Sequence, residues 1–214
     1  MVAEPESLAT SEGLDAHIRR HAYDRLLMLS DGVFAIAVTL AALEIRPAEG
    51  FHGDLLDAIR RPILAYGISF LLTGMFWLQH RNLFARLRRV DMPLTALTLA
   101  LLCVVAVIPT AARMLYAEHL GDEAFRFYSA TMGVCGAISW ATWLYVAVRP
   151  GLLHPDVPQR YRWRRVTTAL ALPAFVAPMA VFDFPLAAYV QLGALAVLIT
   201  LRRIVLPLVL KRLA

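Results

Sequence analysis

Charge is scarce in this chain, and cysteine scarcer. Only 17% of the 214 residues are charged, while 59% are hydrophobic. A soluble domain is about a quarter charged and about half apolar, so no globular core of this size absorbs the excess. The two cysteines, Cys103 and Cys135, sit singly inside apolar runs with no C-x-x-C pair. They read as small packing residues and leave the redox compartment open. No cleavable leader is expected either: residues 1–22 carry Glu4, Glu6, Glu12 and Asp15 and have no apolar centre. The first hydrophobic helix must then do the targeting. No internal repeat stands out, and no G-x-S-x-G elbow or carbonyl-cage Thr-Val-Gly-Tyr-Gly filter occurs. His17-x-x-x-His21 has helical metal-pair spacing but lies in a polar tail without a third ligand, so no metal and no cofactor are expected.

What the chain does have is apolar runs of nearly the ~20 residues that cross ~30 Å of hydrocarbon. They predict an all-α integral membrane protein with six transmembrane helices, at 26–45, 62–84, 93–117, 124–148, 166–182 and 185–201. A polar tail, 1–25, precedes this 26–206 domain, and a short basic tail, 207–214, follows it. Arg46-Pro47 and Arg149-Pro150-Gly151 stop two runs, Pro93 suits a first helical turn, and Pro109 predicts a kink. The basic, proline-containing stretch 149–165 reads as the longest loop after the tail. Residues 166–201 carry one charge, Asp183, and as one helix would be ~54 Å long. Asp183-Phe184-Pro185 is the natural break.

The net charge of +5 clusters beside these runs, which points to lipid headgroups rather than nucleic acid. Sixteen of the 21 Lys and Arg fall on the tail, the second–third loop, the fourth–fifth loop and the carboxyl terminus. Positive residues stay inside, so this alternation predicts six spans in the cell (inner/plasma) membrane with both termini cytoplasmic.

The first helix carries the chemistry. A carboxylate there costs at least ~2.5–3.5 kcal/mol at the bilayer centre, so Asp31 needs a partner. Arg25 is six residues away, on another face, and part of the pairing must come from a different helix. Trp77, His80 and Phe84 make one stripe at i, i+3, i+7 on the second run, at the same expected depth. Ile36, Leu40 and Leu43 form an aliphatic stripe within ~60°, flanked by Thr39, and Asp31 lies ~140° from Ile36. Such a stripe faces lipid or a neighbouring helix, or is a working surface with the polar cluster as its anchor. Glu44 is an interfacial charge or a cation attractor at a pore mouth.

The string Arg25-x-x-x-Leu29-Ser30-Asp31-Gly32-Val33-Phe34-Ala35-Ile36-Ala37-x-Thr39-Leu40, followed by Glu44, resembles the first-helix signature of the transmembrane protein 175 family of potassium channels. Trp77-x-x-His80-x-x-x-Phe84 resembles its second-helix pattern, and Pro109-Thr110 sits where its third helix carries a proline. Leu29 stands where family members usually carry Phe. The resemblance implies homotetramers with four first helices around a pore. Ile36 would be the narrowest ring, with Leu40 and Leu43 further along and Thr39 near the constriction. Arg25, Ser30 and Asp31 with Trp77 and His80 would brace the helices. Potassium, with modest preference over sodium, would be the permeant ion, and membrane lipids and other copies of the chain the partners. The alternatives are a proton-permeable channel, or a secondary transporter, using Asp31 and His80 as a relay. An enzyme is not expected, because the only polar cluster, Arg25, Ser30, Asp31 and His80, carries no catalytic motif.

Overall fold

The computed structural model describes residues 5–43, 45, 53–115 and 121–182, with isolated positions at 193, 197, 200 and 203. Glu44, the Asp183-Phe184-Pro185 break, the expected sixth span 185–201 and the tail 207–214 lie outside these residues, apart from those isolated positions. The regular elements are helices: α1 (Pro5–Leu43), α2 (Leu55–Phe84), α3 (Met92–Val105), α4 (Ile108–Met114), α5 (Gly121–Val148), α6 (Gln159–Ala169) and α7 (Ala171–Val181). Among the described residues, four stretches are long and apolar enough to cross a membrane: Arg20–Leu43, Ala58–Phe84, Met92–Met114 and Asp122–Val148.

Two readings of the sequence change. The segment read as an amino-terminal tail is helical from Pro5 and continuous with the apolar part of α1. At ~1.5 Å per residue the 39-residue helix is ~58 Å long, so its polar end projects beyond the ~30 Å hydrocarbon layer. The stretch 149–165 is not all loop either. Its last seven residues open α6, a helix rich in arginine.

Prolines set the breaks. Pro109 has no N–H to give the carbonyl of Val105, and the third span divides there into α3 and α4. The tightened turn between them is bonded Val107 N to Val104 O at 3.0 Å. Pro173 acts in the same way on Ala169, separating α6 from α7. The starts of α2 and α3 are capped by carboxylates: Asp54 accepts from Leu56 N at 3.1 Å and Asp91 from Leu94 N at 3.0 Å. Asp91 also accepts from the Tyr145 hydroxyl at 2.6 Å, tying the start of α3 to α5.

The helices pack around α5, which touches α2, α3, α4, α6 and α7, while α1 lies against α2, α3 and α4. Two buried clusters stack along the bundle. One joins Phe34, Phe76, Val105, Ile108 and Met132, and the other Leu26, Phe84, Leu94, Trp143 and Val166. At the end of the second cluster the α2–α3 and α5–α6 connections pair as a short antiparallel bridge. Arg88 N donates to Leu152 O at 2.8 Å and His154 N to Arg86 O at 3.0 Å. Both connections, with their arginines, therefore lie at one end of the bundle.

Small residues bring α5 and α7 together. A Cβ on Gly136 would fall 2.8 Å from Pro173 Cδ, and one on Gly133 would fall 3.3 Å from Ala177 Cα. Close backbone approach is a principal source of helix association in lipid, where the hydrophobic effect between helices is absent. Gly136→Val should therefore lower the melting temperature in detergent by several degrees. Gly67→Ala, at a position with nothing within 4 Å, should leave it unchanged or raise it. Thermal stability measured by size-exclusion chromatography checks both, and equal melting of the two variants would refute close packing at Gly136.

Candidate functional site

Helix α1 is two-sided. Leu26, Ser30, Phe34, Ala37 and Ala41 are buried, a stripe that packs on the rest of the bundle. Ile36 (58% exposed), Leu40 (46%) and Leu43 (74%) lie on the other side and are exposed. Leu29 is also exposed, and by helical angle falls within ~20° of Ile36. The Thr39 hydroxyl donates to the carbonyls of Ala35 and Ile36, both at 3.0 Å, so it is satisfied by its own helix. This side is a continuous aliphatic strip broken by one hydroxyl.

The polar residues behind the strip are arranged differently from a single cluster. Trp77 Nε1 on α2 donates to Asp31 Oδ1 at 2.8 Å. The Arg81 guanidinium lies over the Trp77 ring, 4.9 Å from its centroid. The indole is thus held on its edge by a carboxylate and on its face by a cation. Arg25 is exposed and forms no bond to Asp31. Ser30 is fully buried and donates to Leu26 O at 2.8 Å, within its own helix. His80 is buried and packs its ring against Phe34 (5.9 Å between centroids) and Phe84 (4.3 Å). No hydrogen bond joins it to Asp31, so the two do not form a direct relay within the chain.

Sequence reasoning missed two contributors. Arg81 follows Trp77 by four residues, a spacing that puts them on one helical face. Tyr23 donates from its hydroxyl to Phe84 O at 2.8 Å and lays its ring against the Phe84 ring at 5.7 Å. That bond ties α1 to the last turn of α2, and its partner is a backbone carbonyl with no sequence signal. His17 and His21 face each other edge to face at 6.1 Å, and no group of three metal-ligating residues occurs among the described residues.

Replacing Trp77 by Phe keeps the ring but removes the donor to Asp31. Hydrogen bonds to charged groups contribute about 1.5–3 kcal/mol, and the lower end applies because Asp31 is exposed. Trp77→Phe should lower the melting temperature by a few degrees, and Leu78→Phe, on the exposed side of α2, should not. Equal melting of Trp77→Phe and the wild type would show that the bond holds nothing.

The family model described as the endosomal/lysosomal potassium channel TMEM175 matches residues 25–109, from the start of the α1 motif to the Pro109 kink. A potassium channel of Streptomyces collinus is 36% identical over 142 residues, which cover 62% of this chain and 68% of that protein. A potassium channel of Chryseobacterium sp. is 30% identical over 125 residues, 58% of this chain and 65% of that one. The endosomal/lysosomal proton channel TMEM175 of Bos taurus is 28% identical over 144 residues, 60% of this chain but 30% of the animal protein. The two-sided first helix, the Trp77 anchor behind it and these relationships identify the chain as a multi-pass membrane protein of the TMEM175 channel family.

Proposed function

We propose that the chain is the subunit of a potassium-conducting channel with modest preference over sodium, built as a homotetramer of six-span subunits. The observation that carries this reading is the aliphatic strip of α1, left uncovered while the opposite stripe of the same helix is buried. Four such strips facing a common axis make a hydrophobic constriction, with Ile36 narrowest, Leu40 and Leu43 in series and Thr39 beside them. The names of the bacterial relatives support potassium as the ion. With no carbonyl cage, selection comes from the cost of stripping water inside an apolar ring, and that cost discriminates weakly between monovalent cations. Asp31, Trp77 and His80, with Arg25 and Ser30 nearby, set the position of α1 from behind.

A second reading, proton conduction, is favoured by the names of the animal relatives. Its ionisable candidates are Asp31 and His80. Both lie off the strip, so protons would pass along water rather than along side chains.

In this arrangement the amino terminus and the α2–α3 and α5–α6 connections are cytoplasmic, as the positive-inside bias requires. Cysteines placed at Asp122 or Glu123 should react with an impermeant thiol reagent outside intact cells, and cysteines in 152–158 should stay protected, once Cys103 and Cys135 are replaced. The reverse labelling would overturn the orientation.

Bilayer recording tests the pore. Ile36→Asn should wet the constriction, raising single-channel conductance and weakening discrimination against sodium. Val38→Asn, ~200° around the helix, should not. Unchanged conductance and reversal potential in Ile36→Asn would remove Ile36 from the constriction.

A further inference from the structure

Three polar atoms on three different helices are buried without a hydrogen-bond partner: His80 Nε2 on α2, Thr98 Oγ1 on α3 and Ser139 Oγ on α5. Their residues are 5%, 1% and 7% exposed. All three line one small cavity of about 10 Å³, which Gln79, Thr142, Leu83, Leu101 and Trp143 also line. A fourth orphan, Trp140 Nε1, does not line this cavity.

Buried polar atoms without partners are rare, and three that converge on one void share one cause. The volume matches the space that the centre of a single water molecule requires. The donor set matches as well. Two hydroxyls, each able to donate and accept, and one imidazole nitrogen supply the roughly three bonds that an internal water makes. No carboxylate lines the cavity, so nothing there offsets the desolvation of a cation.

We infer that a single water molecule is bound between α2, α3 and α5, held by His80 Nε2, Thr98 Oγ1 and Ser139 Oγ. Its placement gives it a definite task. The His80 ring packs against Phe34, on the buried stripe of α1. A water that fixes the imidazole from behind links α3 and α5 to the seat of α1, which no direct side-chain bond among these residues does. The inference is independent of which ion the channel passes and of the homotetramer.

A high-resolution cryo-EM map of the wild-type protein in lipid nanodiscs tests it. One isolated peak within hydrogen-bond distance of all three atoms is expected. An empty cavity, in a map that resolves other internal waters, would overturn it. So would rotated side chains bonding one another directly, or density that changes when potassium is exchanged for thallium, which would mark a cation. Melting of Thr98→Val, Ser139→Ala and the double variant gives a second measure. Each single change should lower the melting temperature by about 2–4 °C. The double variant should lose clearly less than the two together, because both hydroxyls hold the same molecule. Additive losses would refute a shared water.

Discussion

A membrane helix that presents one face to its own bundle and another to something outside it must be fixed in rotation about its axis. Successive residues differ by ~100°, so turning α1 by one position would carry its aliphatic strip toward the bundle and expose Phe34. Apolar packing resists this weakly in lipid, where both faces of such a helix are compatible with acyl chains. The directional contact that settles the rotation is the bond from Trp77 Nε1 to Asp31 Oδ1. Asp31 sits at the border between the buried stripe and the exposed strip, where its angular leverage is greatest. Arg81 over the indole and Tyr23 on the last carbonyl of α2 act on the same helix pair, so α1 and α2 are locked at two depths.

The rest of the bundle serves that seat. With little hydrophobic drive between helices, cohesion comes from close approach and from bonds across helices such as Ser69 to Tyr128 at 3.0 Å and Tyr145 to Asp91. Other hydroxyls are satisfied within their own helix. Ser30, Thr131 and Thr142 each donate to a carbonyl one turn back, at 2.7–2.9 Å. Ala111, Ala112, Gly133 and Gly136 let α4, α5 and α7 come close. The Pro109 kink places α4 against α1, so a missing backbone donor in the third span helps to bury the Phe34 side of the first.

Much of this was legible in the sequence because hydrocarbon enforces length and composition. The apolar runs up to Val148 and the break at Pro109 follow from hydropathy and from the chemistry of proline. The separation of Asp31 from the Ile36 strip follows from helical angle alone. What could not be read lies in pairings between helices. Trp77 and His80 share a stripe, yet only Trp77 reaches the carboxylate, a matter of side-chain length and helix crossing that spacing does not encode. The helicity of 5–25 and of 159–165 was hidden for another reason: hydropathy detects hydrocarbon, and a polar or basic helix outside it leaves no trace. Tyr161 shows what such a helix does, since its ring meets the guanidinium groups of Arg86 and Arg165, joining the two basic connections at one end of the bundle.

The relatives' names divide between potassium and proton, and the geometry of α1 bears on how one scaffold serves both. The strip offers no ionisable group at Ile36, Leu40 or Leu43, so whatever crosses the proposed constriction is chosen by how water enters an aliphatic ring. A dry ring excludes every ion. A ring that wets briefly admits a chain of waters, along which protons move without being stripped, before it admits potassium with part of its shell. In the proposed assembly, the passage from proton to cation conduction would be a matter of how wide and how often the α1 helices part. In that proposal the control of the motion falls to the contacts that hold each helix from behind, the Trp77–Asp31 bond and the Phe34–His80 contact, rather than to the exposed strip.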